Sequence, residues 1–233
     1  MNEKQVMIIT GTSRGIGRML AEYYCNKGYI VFGGSREISD FTHPDYHNWI
    51  IDIRIEKFVL DLIRDVKDEF GRIDILINNA GIGTMNHSFF IPSTMAEKIF
   101  ATNVIGTFLM SREAAKVMSK RKYGRIINFA SFAVPFKLEG EAIYAASKAA
   151  VITLTEILAR EYAPYNITVN AISPPAMRTD LTKGVPEEKM QKLLQRQAIH
   201  RYGYANDITN TIDFLINPMS EMITGQTIYM GGL

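Results

Sequence analysis

Seven short, continuously apolar runs separated by longer helical patterns constrain this chain more than any other feature. The runs are Val6–Thr10, Tyr29–Gly33, Trp49–Ile51, Ile73–Asn78, Arg125–Ala130, Thr168–Ile172 and Thr227–Met230. Helical patterns occupy roughly 16–27, 54–70, 94–120, 144–163 and 205–216. Runs that do not alternate apolar with polar residues suit strands covered on both faces. Strand–helix alternation then predicts a parallel sheet with right-handed crossovers and helices on both sides. The expected fold is α/β, a doubly wound parallel seven-stranded sheet. The chain has 233 residues, 47% of them hydrophobic, enough for one substantial core. No linker or repeat divides it, so 1–233 reads as a single domain. The longest irregular stretch, 173–204, carries Pro174, Pro175 and Pro186. Its part from 175 to 204 is a candidate lid over the site.

Composition excludes several functions. A net charge of +2 gives no global field for nucleic acid. One cysteine, Cys25, excludes an internal disulfide framework and a cysteine-based zinc site. His43, His47 and His200 lack metal-ligand spacing, so no metal is expected. Polar Met1–Gln5 leads directly into a strand-like run, unlike a signal peptide, and no apolar stretch reads as membrane length. A soluble cytoplasmic protein is expected.

The first strand runs into Thr10-Gly-Thr-Ser-Arg-Gly-Ile-Gly17, and a helix follows. Gly11, Gly15 and Gly17 let the backbone turn sharply and approach a ligand closely. The helix N-terminus then offers unpaired N–H groups to a pyrophosphate. The second strand ends in Gly33-Gly-Ser-Arg36, whereas NAD-binding folds place an acid there for the ribose 2′-hydroxyl. Arg36 and Arg14 can instead grip a 2′-phosphate through their forked N–H donors. NADP is therefore expected over NAD, with Ser35 beside it. Tyr144 and Lys148 lie four apart in a helical pattern and share one face. A cation beside a phenol favours the phenolate and lowers its pKa, as suits a proton donor to a carbonyl oxygen.

Together these features resemble the short-chain dehydrogenase/reductase family over nearly the whole chain. The ordered matches are Thr10–Gly17, Asp52, Asn78-Asn-Ala-Gly81, Asn103, Ser131, Tyr144, Lys148 and Asn170-Ala-Ile-Ser-Pro174. The resemblance implies a Rossmann-type fold and roles residue by residue. Tyr144 would be the acid/base, Lys148 would lower its pKa and bind the nicotinamide ribose, and Ser131 would hold the substrate carbonyl. Asn103 would hold a water in a relay through Lys148. Gly11, Ser13, Arg14, Gly15, Ile16 and Gly17 would cradle the cofactor phosphates. Asn79, Ala80 and Gly81 would lie along the adenosine side, with Asp52 and Ile53 at the adenine. Pro174, Met177 and Thr179 would border the nicotinamide. Two departures stand out: Pro175 replaces the family's usual glycine, and Met230 an acidic residue.

Within the family the chain is most similar to bacterial 3-oxoacyl-acyl carrier protein reductases of fatty acid biosynthesis. This implies an acyl-carrier-bound substrate, with Arg125 meeting the acidic carrier. Tyr165, however, stands where a second basic docking residue is expected. The substrate-facing segments are expected at Ile82–Ile91, Phe132–Ile143 and Arg178–Arg201. Their aromatics suit an apolar chain, and their charges suit a sugar-derived ketone, polyol or other small-metabolite carbonyl. His87 reads as a surface residue. A non-catalytic dinucleotide sensor or scaffold is the third possibility. The small residues Ala114, Ala115, Ala145, Ala146, Ala149 and Ala150 permit close helix packing; the resemblance implies a homodimer or homotetramer.

Overall fold

The computed structural model of the chain describes residues 4–178 and 186–232. Seven parallel strands are arranged in the order β3-β2-β1-β4-β5-β6-β7. They are β1 (Val6–Thr10), β2 (Ile30–Ser35), β3 (Tyr46–Ile50), β4 (Ile75–Asn78), β5 (Gly124–Phe129), β6 (Ile167–Ser173) and β7 (Thr227–Tyr229). The helices are α1 (Gly15–Asn26), α2 (Glu56–Phe70), α3 (Ser93–Phe100), α4 (Thr107–Arg121), α5 (Ala133–Phe136), α6 (Ala142–Tyr162), α7 (Glu187–Leu194) and α8 (Ala205–Ile216).

Successive side chains along a strand point to opposite faces, and both faces are covered. Val6 and Ile8 join a core with Val59 and Leu62 of α2, Met110 of α4 and Leu158 of α6. Met7 and Ile9 join a second core with Leu20 and Tyr24 of α1 and Ile208 and Ile212 of α8. This two-sided burial is why the runs do not alternate. It also confirms the expected doubly wound α/β sheet.

Three sequence expectations need correction. The helix expected over 94–120 consists of α3 and α4 joined by a π-helical stretch, Ala101–Gly106, which carries buried Asn103. Single π turns inside helices recur at functional sites. Second, the stretch Ala142–Tyr165 is long and apolar enough to cross a membrane by length and composition. Its Val151, Leu158 and Ala159 are buried in the fold, the position of a core helix. Third, Arg125 points inward: it is 1% exposed. Its Nη1 donates to the Gly124 carbonyl at 2.9 Å, and its guanidinium stacks 4.6 Å from the Tyr123 ring centroid. A cation so enclosed presents no charge to an acidic carrier, which removes its expected docking role. Of the small helical residues, Ala114 and Ala115 are buried within the subunit.

Strand order reverses between β1 and β4, since β2 and β3 extend one way and β5–β7 the other. Ligands of open α/β sheets bind outside the carboxyl ends of the strands at such a switch point. The glycine turn, Asn79–Gly81, Ser131 and Pro174 all follow strand ends there.

Candidate active site

The turn after β1 is built around close approach. A Cβ on Gly17 would lie 2.1 Å from the Gly11 carbonyl oxygen, which no side chain can relieve. Gly15 has φ +59° and nothing within 4 Å of its would-be Cβ. A side chain there would be strained and would project into the open cleft. The Asn79 amide spans the switch point, donating to the Thr10 carbonyl at 2.9 Å. The Ala80 N–H donates to Thr10 Oγ1 at 3.0 Å.

Two cavities adjoin at this place. One of about 390 Å³ is lined by Gly11, Ser13, Arg14, Gly15, Ile16, Ser35, Arg36, Asp52, Ile53, Asn79, Ala80 and Gly81. The other, about 650 Å³, is lined by Ser131, Tyr144, Lys148, Pro174 and Met177, among others. Ile16, Asn79, Gly81 and Gly83 line both, so the two form one continuous cleft. Nearly every expected site residue therefore meets in one place. Gly17 supports the turn from behind, Asn103 lines neither cavity, and Thr179 lies outside the described residues.

An open glycine-lined cradle at the α1 N-terminus, with exposed Arg14 and Arg36 at its edge, fits a dinucleotide. Asp52 has a partner the sequence reading missed. Arg54 Nε donates to Asp52 Oδ1 at 2.8 Å, and its Nη2 to Asp52 Oδ2. This hydrogen bonding holds the Asp52 carboxyl below the usual carboxylate range and fixes its orientation at the cavity wall.

Tyr144 and Lys148 share the inner face of α6, as their spacing requires, but their electrostatics differ from expectation. Burial pushes the Tyr144 phenol up to about 12, with the Ser131 hydroxyl working against it and Glu141 adding to it. Burial pushes the Lys148 ammonium down to about 8. Lys148 Nζ donates to the Phe129 carbonyl at 2.7 Å and lies 5.9 Å from the Tyr144 ring centroid. Desolvation sets the phenol, and the lysine is not among the groups that move it. The expected lowering of the tyrosine by its lysine is absent.

Asn103 is held by three side-chain hydrogen bonds. Its Oδ1 accepts from the Ile82 N–H at 2.9 Å. Its Nδ2 donates to the Ile82 carbonyl at 2.9 Å and to Ser147 Oγ at 3.0 Å. Ser147 Oγ in turn donates to the Tyr144 carbonyl at 2.7 Å. The side chain thus clamps the β4 loop to α6, with both Nδ2 hydrogens used.

Within the expected lid, the described residues Met190, Leu193 and Arg196, in and just after α7, line the larger cavity. The segment's anchor is Gln197, 2% exposed, which periodicity alone did not single out. Gln197 Oε1 accepts from the Ala176 N–H at 2.8 Å, and its Nε2 donates to the Ile199 and Arg201 carbonyls at 3.1 and 3.2 Å. Pro175, the departure from the family pattern, is accommodated by Gly203, whose would-be Cβ lies 2.3 Å from Pro175 Cγ. The expected substrate wall at 82–91 is only partly so. Thr84 and Met85 line the cavity, while Phe89 and Phe90 are exposed. His87 is exposed, and its Nδ1 accepts from the Phe89 N–H at 3.3 Å.

Comparison with known proteins agrees with this geometry. The family profile described as short chain dehydrogenase matches residues 5–190. The 3-oxoacyl-acyl-carrier-protein reductase FabG of Escherichia coli is 32% identical over 236 aligned positions, covering 99% of this chain and 97% of that protein. Among solved structures, ElxO with NADP bound has a TM-score of 0.89 and 27% identity, covering 98% of this chain and 97% of that one. A 4-hydroxyisoleucine dehydrogenase complexed with NADH has a TM-score of 0.88 and 29% identity, covering 98% of each. On sequence match, fold and site alike, this chain belongs to the short-chain dehydrogenase/reductase family and is an oxidoreductase.

Proposed function

We infer that the protein is an NADPH-dependent carbonyl reductase, forming a secondary alcohol from a ketone. The observation that carries this reading is the convergence of Ser131, Tyr144 and Lys148 on a cavity continuous with the dinucleotide cleft. When bound, the cofactor supplies the hydride. Gly11, Ser13, Gly15, Ile16 and Gly17 would hold its phosphates, and Arg14 and Arg36 its 2′-phosphate. Asp52 and Ile53 would border the adenine. Asn79, Ala80 and Gly81 would lie along the adenosine side, and Pro174 and Met177 beside the nicotinamide.

Ser131 donates its hydroxyl hydrogen to the substrate carbonyl oxygen and stabilises the charge that develops there. Tyr144 delivers its phenolic proton to the same oxygen. A phenol held up at about 12 keeps that proton until the alkoxide forms. Lys148 orients the cofactor ribose and stabilises the phenolate left behind, and Asn103 positions α6 against the β4 loop.

A 3-oxoacyl thioester is the preferred substrate, supported by likeness to the E. coli FabG reductase. Lys137, Glu139, Glu141 and Lys189 also line the cavity, which favours a second reading: a sugar-derived, polyol or other small polar ketone. Subunit pairing would use the exposed faces of α4 and α6, where Ile157 is 49% exposed. The test is NADPH oxidation with a short 3-oxoacyl thioester and a panel of ketones. Tyr144→Phe is expected to bind NADPH as the parent does yet turn over at least about 100-fold more slowly. Undiminished turnover would overturn the role of Tyr144.

A further inference from the structure

Glu141 lines the larger cavity three residues before Tyr144. It is the residue preceding α6, yet its side chain caps no helix N–H. Among the described residues its carboxylate makes no hydrogen bond or ion pair, its only hydrogen bonds being main-chain ones to Leu138 and Ala145. The cations around the same cavity do not reach it. Arg196 Nη2 donates to the Phe136 carbonyl at 2.5 Å, and its guanidinium lies 4.8 Å from the Phe136 ring centroid. Lys192 pairs with Glu188 at 2.7 Å. Lys137 and Lys189 are exposed, and neither is bonded to Glu141. Burial raises the Glu141 carboxyl above its ordinary range.

An acceptor that is partly desolvated and lacks a donor is costly to keep. The α6 N-terminus tolerates its negative charge, but the residue still lines the space where, on this reading, the substrate sits. An apolar side chain would fill that wall at lower cost.

Resting on the carbonyl-reductase reading, we propose that Glu141 is a specificity-determining residue that accepts a hydrogen bond from an N–H or O–H on the substrate, close to the carbonyl being reduced. The preferred substrate is then a ketone carrying such a donor, either the amide of a pantetheine-like thioester arm or a neighbouring hydroxyl. A site built around a partly buried acceptor disfavours an analogue that lacks the donor, because the acceptor is then left unpaired.

The experiment uses the full chain with NADPH and two matched substrate pairs. The first pair is a 3-oxoacyl N-acetylcysteamine thioester, which has an amide N–H, against the corresponding S-ethyl thioester. The second is acetoin against 2-butanone. The donor-bearing member of at least one pair is expected to show kcat/KM about tenfold or more above its partner. That ratio should fall towards one in Glu141→Leu and be partly kept in Glu141→Gln, whose amide oxygen still accepts. The pair that shows the preference identifies whether an amide or a hydroxyl is read. The ratio cancels any general effect of Glu141 on the Tyr144 proton. Turnover of all four substrates with no donor preference in the parent protein would overturn the role of Glu141 and leave the reductase reading standing. So would a preference that persists in Glu141→Leu. Failure to reduce any of the four while NADPH binds would overturn the reductase reading and this inference with it.

Discussion

Replacing Lys148 with methionine should stabilise the cofactor-free protein while destroying its activity. Lys148 is 5% exposed, and its ammonium has the Phe129 carbonyl as its hydrogen-bond acceptor. Burial lowers it to about 8 from the 10.5 of an ordinary lysine. The difference, 10.5 minus 8, corresponds to roughly 3 kcal/mol of penalty on the charged form at neutral pH. The sign follows from proton binding. Between about 8 and 10.5 the unfolded chain holds the proton and the folded chain releases it, so stability rises with pH across that window. Below about 8 the penalty is fully present. Methionine fills a similar volume without charge, and it forfeits one hydrogen bond of about 1 kcal/mol. Lys148→Met should therefore be about 1–3 kcal/mol more stable than the parent near pH 7. The gap should shrink by about 2 kcal/mol by roughly pH 9.5. Tyr144, held up at about 12, does not titrate within that range. Urea unfolding followed by circular dichroism, at fixed protein concentration and without cofactor, measures both quantities. A gap of the same size at both pH values, or a less stable variant, would refute the reasoning. Loss of turnover in the stabilised variant would mark Lys148 as a residue kept for function at the expense of stability.

Two further outcomes follow from the cleft and from the Gln197 hydrogen bonds. If Arg36 grips the 2′-phosphate as proposed, Arg36→Asp should lower affinity for NADPH relative to NADH by about tenfold or more, since it puts a repelling carboxylate in place of a guanidinium; equal ratios measured by titration of the two cofactors would remove the 2′-phosphate argument. Gln197→Ala leaves the buried Ala176 N–H without its acceptor. It should cost about 1–3 kcal/mol in urea unfolding and raise KM more than it lowers kcat; an unchanged KM would show that this anchor does not shape the site.

The architecture was legible because burial on both sheet faces imprints itself directly on sequence. Val6–Thr10 is apolar throughout since Val6 and Ile8 pack on one side and Met7 and Ile9 on the other. The glycine turn was legible for a similar reason: only a missing side chain lets Gly17 lie against the Gly11 carbonyl. The spacing of Tyr144 and Lys148 likewise specified their common helix face. Tertiary structure decided what depends on surroundings assembled from distant segments. Arg125 looks like any surface cation in a basic stretch, yet its place inside a central strand buries it. Tyr144 and Lys148 look like a pair that lowers the phenol, yet shared burial moves them in opposite directions. Gln197 and Glu141 are unremarkable polar residues until the fold gives the Gln197 amide its partners and leaves the Glu141 carboxylate without one among the described residues. Periodicity and steric exclusion are local and can be read along a chain. Desolvation and hydrogen-bond completion are set by neighbours far away in sequence, so only the folded protein assigns them.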